Sequence, residues 1–196
     1  MQLKPILFNT EMVRAILDGR KTVTRRIIKP QPKSEVVFHL GNWQETQMCA
    51  NGLRMLIPPC RPGDVFYVRE TWGKTADLPD ISEEATVYAA DFSDRELAHL
   101  KDKHFRWRPS IHMPKELTRL YLKVTHVRAE RLRSITLGEA YAEGVRNTVD
   151  FPKLWDSTIP KVDLDTYGWK ANPWVWVIKF EVCEKPEVYA WKFKSK

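Results

Sequence analysis

Apolar residues recur at helical spacing near the start of this chain. Residues 10–17 carry one apolar stripe, with Asn9 or Thr10 available as the N-cap. Gly19 follows where a left-handed residue commonly ends a helix. This pattern predicts a short helix that passes through a glycine into the next element.

Elsewhere the apolar positions alternate, or β-branched residues cluster, as is typical of strands. Predicted strands cover residues 22–28, 65–69, 86–89, 119–127 and 174–182. Ser93 with Glu96, and Thr136 with Glu139, have the spacing of capping boxes. Helices are therefore predicted over residues 94–101, 136–143 and 151–157.

Short strands with a few interposed helices, and no regular strand–helix alternation, indicate an α+β fold. We expect a small β-barrel with flanking helices. Residues 1–184 are predicted to form a single domain, with extra loop material near 31–61 and 73–103. The first of these segments contains few regular signals and is expected to hold a hairpin that turns at Asn51 and Gly52. Residues 185–196 are predicted to be a flexible basic tail.

The composition is that of a globular protein, with 43% hydrophobic and 29% charged residues. The sequence has neither an apolar run long enough to span a membrane nor a secretion signal, which predicts a cytoplasmic protein, with a monomer favoured. Its net charge of +7 favours polyanionic partners through electrostatic attraction.

Three cysteines, Cys49, Cys60 and Cys183, are widely spaced and odd in number. Such spacing favours reduced thiols over a disulfide framework or a zinc site. No cofactor and no metal are expected.

Residues 15–26 resemble the opening motif of ASCH domains, a family within the PUA-like superfamily. Further segments resemble the family in the expected order, namely residues 62–65, 124–127, 135–144 and 174–180. Residues 69–72, 106–114 and 172–176 are similar to a phage and prophage subgroup of the family. The resemblance implies a PUA-like barrel and a nucleoside or RNA as the partner.

Some ASCH proteins are amidohydrolases that remove the acyl group of N4-acetylcytidine, and the resemblance implies the catalytic trio Lys21, Thr24 and Glu143. A lysine in an apolar pocket can lose its proton, so Lys21 could accept the proton of the attacking Thr24 hydroxyl. Glu143 could then protonate the departing amine. Glu139 lies one helical turn earlier and is an alternative for the family acid.

The remaining candidate residues would bind the substrate. They are Arg20, Thr22, Arg25, Arg26, Arg69, Glu70 and Trp72. Cations can hold phosphates, and tryptophan can stack on a base. The same residues also fit a binding module for RNA or a modified nucleobase without catalysis, or a ribonuclease. Glu70 and Trp72 equally fit a salt bridge beside a core tryptophan, and His112 fits a structural histidine.

Overall fold

The structure is a computed structural model that describes residues 1–49, 52–77 and 84–187. It contains ten strands and five α-helices in these ranges. The strands are β1 (Leu3–Leu7), β2 (Val23–Ile27), β3 (Val36–His39), β4 (Asn42–Cys49), β5 (Gly52–Leu56), β6 (Val65–Arg69), β7 (Trp72–Lys74), β8 (Thr86–Tyr88), β9 (Tyr121–Arg131) and β10 (Trp174–Cys183). The helices are α1 (Thr10–Leu17), α2 (Asp94–Asp102), α3 (Leu137–Ala142), α4 (Phe151–Ser157) and α5 (Leu164–Tyr167).

The helix ends follow from local chemistry. Asn9 caps α1 by accepting the Met12 N–H, and Gly19 adopts a φ of 72° just past its end. Both predicted capping boxes are present, at Ser93 of α2 and Thr136 of α3. The sequence predictions for these helices are therefore confirmed.

The fold is α+β, but the expected closed barrel is wrong because the sheets are open. The hydrogen-bonded strand orders are β1-β6-β9-β10-β2, β3-β4-β5 and β7-β8. The unpredicted strand β1 runs parallel to β6, with Pro5 opposite Tyr67. Proline lacks a backbone donor, so it is tolerated in an edge strand such as β1.

The segment 31–61 is more ordered than its sequence indicates, because β3, β4 and β5 form an antiparallel meander. Asn51 of the predicted Asn51–Gly52 turn lies outside the described residues. Most of the predicted tail, residues 188–196, also lies outside them.

The chain divides into two compact units. Unit 1 comprises residues 1–19, 64–123 and the described residues from 181 onward, and unit 2 comprises residues 20–63 and 124–180. In unit 1, β6 pairs with β1 and with the start of β9, and β7 pairs with β8. In unit 2, β2 pairs with β10, with Arg25 opposite Val177.

The core of unit 2 explains where its polar cluster lies. Its buried members are Val23, Leu132, Ala140, Phe151, Trp155, Val175 and Val177. The β2 members Val23 and Arg25 share one face of the strand because side chains alternate. Arg25 is consequently buried, with its guanidinium 5.9 Å from the centre of the Phe151 ring.

None of the described helices combines the length and the apolar character that crossing a membrane requires. Neither Cys60, which is buried, nor Cys183, which is half-buried, forms a disulfide within the described residues.

Candidate functional site

Lys21 is the best-defined member of the predicted site. It precedes β2 and is 2% exposed. Its ammonium donates to the Val23 carbonyl at 2.9 Å, to the Glu143 carbonyl at 2.9 Å and to the Glu143 carboxylate at 2.7 Å. These three acceptors match the three protons of a lysine ammonium. Burial lowers the pKa of Lys21, and the Glu143 carboxylate opposes that shift.

Glu143 ends helix α3 and lies between two cations. One carboxylate oxygen accepts from Lys21, and the other accepts from Arg25 at 3.0 Å. The Glu143 N–H closes the helix by donating to the carbonyls of Glu139 and Ala140. A carboxylate at a helix C-terminus is electrostatically unfavourable by itself. Here Lys21 and Arg25 compensate it.

Arg25 extends the cluster to a second pair of carboxylates. Its other terminal nitrogen donates to Glu130 at 2.7 Å and to Glu139 at 3.1 Å. Arg128 binds the same two carboxylates, through a 2.9 Å ion pair with Glu130 and a hydrogen bond to Glu139. Lys21, Arg25 and Arg128 thus alternate with three glutamates, and we call these six residues the ion-pair cluster.

The two acids that the sequence left open have different environments. Glu143 is 5% exposed and contacts Lys21 directly. Glu139 is less buried and binds the Thr136 N–H as part of the capping box. Burial raises the pKa of Glu139, but the Thr136 N–H, Arg128 and Arg25 together bring it below the ordinary value.

Thr24 is buried on β2 opposite Ile178, but its side chain leaves the strand on the other face from Arg25. Because Arg25 and Lys21 hold the same Glu143 carboxylate, that face is the one the ion-pair cluster occupies. The structure therefore unites Lys21 with Glu143, whereas strand alternation directs the Thr24 side chain to the face of β2 opposite the one that carries Arg25.

The other candidates of unit 2 lie around this cluster. Arg20 is exposed and donates to the Gly144 carbonyl at 3.0 Å. Thr22 is half-buried, and its backbone N–H binds the Ala142 carbonyl at 2.9 Å. Arg26 is also half-buried. Desolvation lowers its pKa, whereas Glu143 raises it.

Arg69, Glu70 and Trp72 belong to unit 1, where each has a structural partner. Arg69 donates to the Met113 carbonyl at 2.9 Å. Glu70, 1% exposed, accepts hydrogen bonds from Nε and Nη2 of Arg119, each at 3.0 Å. Trp72 is buried under the Arg108 guanidinium, which lies 5.0 Å from its ring centre. His112 is exposed, at the end of a short 3-10 turn.

A cavity of about 580 Å³ in unit 2 was not anticipated from the sequence. Its lining comes from the meander, the following prolines and β9, and includes Phe38, Asn42, Trp43, Arg61, His126 and Arg128. The Phe38 and Trp43 rings lie 5.0 Å apart, and Trp43 also meets Trp176 edge-on at 5.9 Å. Arg128 belongs both to this lining and to the ion-pair cluster.

Sequence reasoning missed this cavity because Phe38 and Trp43 are more than 80 positions from His126 and Arg128 along the chain. Phe38 and Trp43 meet only because β3 pairs with β4. The alternation of Arg128 and Glu130 along one face of β9 was a usable signal for the ion-pair cluster. Among the described residues, no group of three His, Cys, Asp or Glu side chains is arranged to hold a metal ion.

Comparison of this chain with protein-family models, with curated proteins and with solved structures returned no match. The ASCH resemblance accordingly stays an expectation that rests on the motifs alone.

Proposed function

We propose that this protein binds a nucleobase-containing ligand, a nucleoside or a segment of RNA, in the cavity of unit 2. The observation that carries the proposal is the cavity's combination of an aromatic wall with cationic groups. Its volume of about 580 Å³ lies within the range of small-molecule sites.

The Phe38 side chain is 59% exposed, so its aromatic ring is accessible for stacking against a base. Its neighbour Trp43 packs edge-on against Trp176. Phe38 and Trp43 together therefore form an aromatic surface that is supported by a third ring. Stacking of a base on such a ring contributes about 1–3 kcal/mol and tolerates any base.

The charges of the lining favour a ligand that carries phosphate. Arg61 contributes a guanidinium group and His126 is exposed on β9, whereas the Arg128 guanidinium is already paired with Glu130 and Glu139. The described lining includes no aspartate or glutamate. Guanidinium groups bind phosphate oxygens through paired hydrogen bonds. The ion-pair cluster supports this site by holding Arg128 through Glu130 and Glu139.

A binding titration tests the proposal. Quenching of tryptophan fluorescence by cytidine and by cytidine monophosphate would be measured for the native chain and for Phe38→Ala. We expect the variant to bind about 5-fold to 100-fold more weakly, as the loss of one stacked base predicts. Leu40→Ala is the matched control, since Leu40 is 85% exposed near the same hairpin and is outside the cavity lining. Equal affinities for Phe38→Ala and native protein would rule the cavity out.

Amide hydrolysis of an N4-acylated cytosine is the second candidate. It is favoured by the direct contact of a buried lysine, whose pKa burial lowers, with a carboxylate. In such a reaction Lys21 would accept a proton from the nucleophile and Glu143 would return one to the amine. Two observations argue against hydrolysis. All three protons of the Lys21 ammonium are donated in hydrogen bonds, and the residue is only 2% exposed.

Mass spectrometry of N4-acetylcytidine incubated with the protein separates hydrolysis from binding. Release of cytidine by the native chain, lost in Lys21→Ala and retained in the exposed-site control Lys179→Ala, would support hydrolysis. Tight binding of N4-acetylcytidine without any release of cytidine would rule out hydrolysis and retain only the binding function.

A further inference from the structure

The C-terminal end of α2 presents a cluster of basic side chains that the proposed function does not use. Lys101, Lys103, His104 and Arg106 are all exposed, and Asp102 is the single acid among residues 101–106. We call these six residues the α2 terminal loop. It belongs to unit 1.

Three other cations of unit 1 are paired with carboxylates. Arg14 binds Asp94 at 2.8 Å, Arg108 binds Asp77 at 2.7 Å, and Arg119 binds Glu70 at 3.0 Å. By contrast, the cations of the α2 terminal loop have no ion pair within the described ranges 1–49, 52–77 and 84–187. Their charge is therefore available to an external anion.

Backbone hydrogen bonds hold this loop, whereas its basic side chains are exposed. His104 adopts a φ of 57°, and its N–H donates to the Lys101 carbonyl at 2.9 Å. The Phe105 N–H donates to the Leu100 carbonyl at 2.9 Å, which completes a Schellman motif. Phe105 is 7% exposed and meets the Trp107 ring at 4.7 Å. A buried anchor thus holds the exposed cations in place.

Helix capping accounts for only part of this arrangement. Cations in the last turn of a helix stabilise its dipole, which fits Lys101 and Lys103. Arg106 lies beyond the helix end and beyond the buried Phe105, so its exposed charge has no such role.

We propose that the α2 terminal loop binds the phosphodiester backbone of a nucleic acid. Clustered lysine and arginine side chains bind phosphates independently of base sequence, with release of counterions. The loop lacks an exposed apolar side chain that would enter a lipid surface, because its aromatic neighbour Phe105 is buried. This inference goes beyond the proposed nucleobase site and does not depend on it.

Fluorescence anisotropy with a labelled uridine oligonucleotide of about 12 residues tests it over a range of salt concentrations. The variant is K101Q/K103Q/R106Q. K153Q/K161Q/K170Q is the matched control, because it removes the same charge from three exposed lysines of unit 2 that are at least eight positions apart along the chain. A labelled RNA duplex serves as a second arm that distinguishes single-stranded from paired backbone.

We expect the loop variant to bind about tenfold or more weakly at about 0.1 M salt. Its plot of log affinity against log salt should also be flatter by about 2, since each phosphate contact on a single strand contributes about 0.7. The control variant should change both quantities much less. Loss of affinity for one RNA form alone would assign the loop to that form.

Equal losses in the two variants would overturn the proposal, because they would reflect net charge alone. Unchanged binding in the loop variant would overturn it as well. So would binding of the native chain to vesicles rich in phosphatidylserine without binding to either RNA. The Phe38→Ala variant distinguishes the two proposals. It should lower the affinity of the cavity for a nucleoside, but it should leave unchanged the dependence of oligonucleotide affinity on salt concentration.

Discussion

The Lys21 ammonium lies 2.7 Å from a carboxylate oxygen of Glu143, and both side chains are almost wholly buried. Arg25 holds the other oxygen of the same carboxylate at 3.0 Å. Glu143 therefore compensates the charge of two buried cations. Each cation also has other acceptors, which are backbone carbonyls for Lys21 and the carboxylates of Glu130 and Glu139 for Arg25. This asymmetry determines how the cluster should respond to substitution.

Replacing Glu143 should cost more stability than replacing Lys21. Glu143→Gln leaves two buried cations without their shared anion, and removal of one partner from a buried ion pair costs about 3–5 kcal/mol. Lys21→Met removes a buried charge while Glu143 keeps Arg25, so we expect a smaller loss. Urea unfolding of both variants measures the two costs. An equal or reversed order would contradict this account of the cluster.

The stability of the native chain should rise with pH in the alkaline range on account of Lys21. Burial lowers its folded-state pKa below the ordinary value of 10.5. Between the two values the unfolded chain binds more protons than the folded chain, so the free energy of unfolding increases with pH. Below the folded-state pKa, the cost of burying the ammonium is present in full.

The comparison of native chain with Lys21→Met isolates this effect. Their difference in unfolding free energy should shift in favour of the native chain as pH rises from the lowered folded-state pKa of Lys21 toward the ordinary value of 10.5. A difference that stays constant over this range would show that Lys21 keeps its proton throughout.

Glu139 should contribute to acid sensitivity. Burial raises its pKa, but the Thr136 N–H, Arg128 and Arg25 outweigh this and lower it below the ordinary 4.5. A carboxylate with a lowered folded-state pKa stabilises the fold above its ordinary pKa, and that contribution is lost as pH falls through the folded-state value. Glu139→Gln should therefore flatten the acid side of the stability curve. Asp165→Asn is the control, an exposed carboxylate of α5 outside the cluster. Parallel acid curves for Glu139→Gln and native chain would contradict the prediction.

Two glycines should respond oppositely to alanine. A Cβ at Gly73 would lie 2.5 Å from the Phe105 ring, so Gly73→Ala should destabilise the chain by about 1–3 kcal/mol through overpacking. A Cβ at Gly138 in α3 would meet nothing within 4 Å, and Gly138→Ala should stabilise by about 0.5–1 kcal/mol. Thermal unfolding measures both changes. A neutral Gly73→Ala would show that Phe105 does not pack closely against β7.

Local chemistry was readable from the sequence because it depends on near neighbours. The strand Val65–Arg69 and the helix Phe151–Ser157 have the predicted bounds. Capping at Ser93 and Thr136 follows from residues three positions apart. The α+β class followed from the same short-range signals.

The pairing of strands was harder to predict from the sequence, because many hydrogen-bonded strands are separated by long stretches of chain. Period-two patterns assign a strand face but not the adjacent strand. The open sheet with edge strands β1 and β2 replaced the predicted barrel for this reason. The meander β3–β5 lacks a clean alternation, since Val37, Phe38 and Met48 are all exposed.

The sequence by itself determined several helix ends and strands, and it marked Lys21, beside a basic motif, as a candidate site residue. Only the tertiary structure decided that Lys21 contacts Glu143, 122 positions away, and that Arg25 joins them to Glu130. It also brought Phe38 and Trp43 to one cavity with Arg128. Long-range pairing and burial select the partners of a charge or a ring, and a linear pattern does not contain that information.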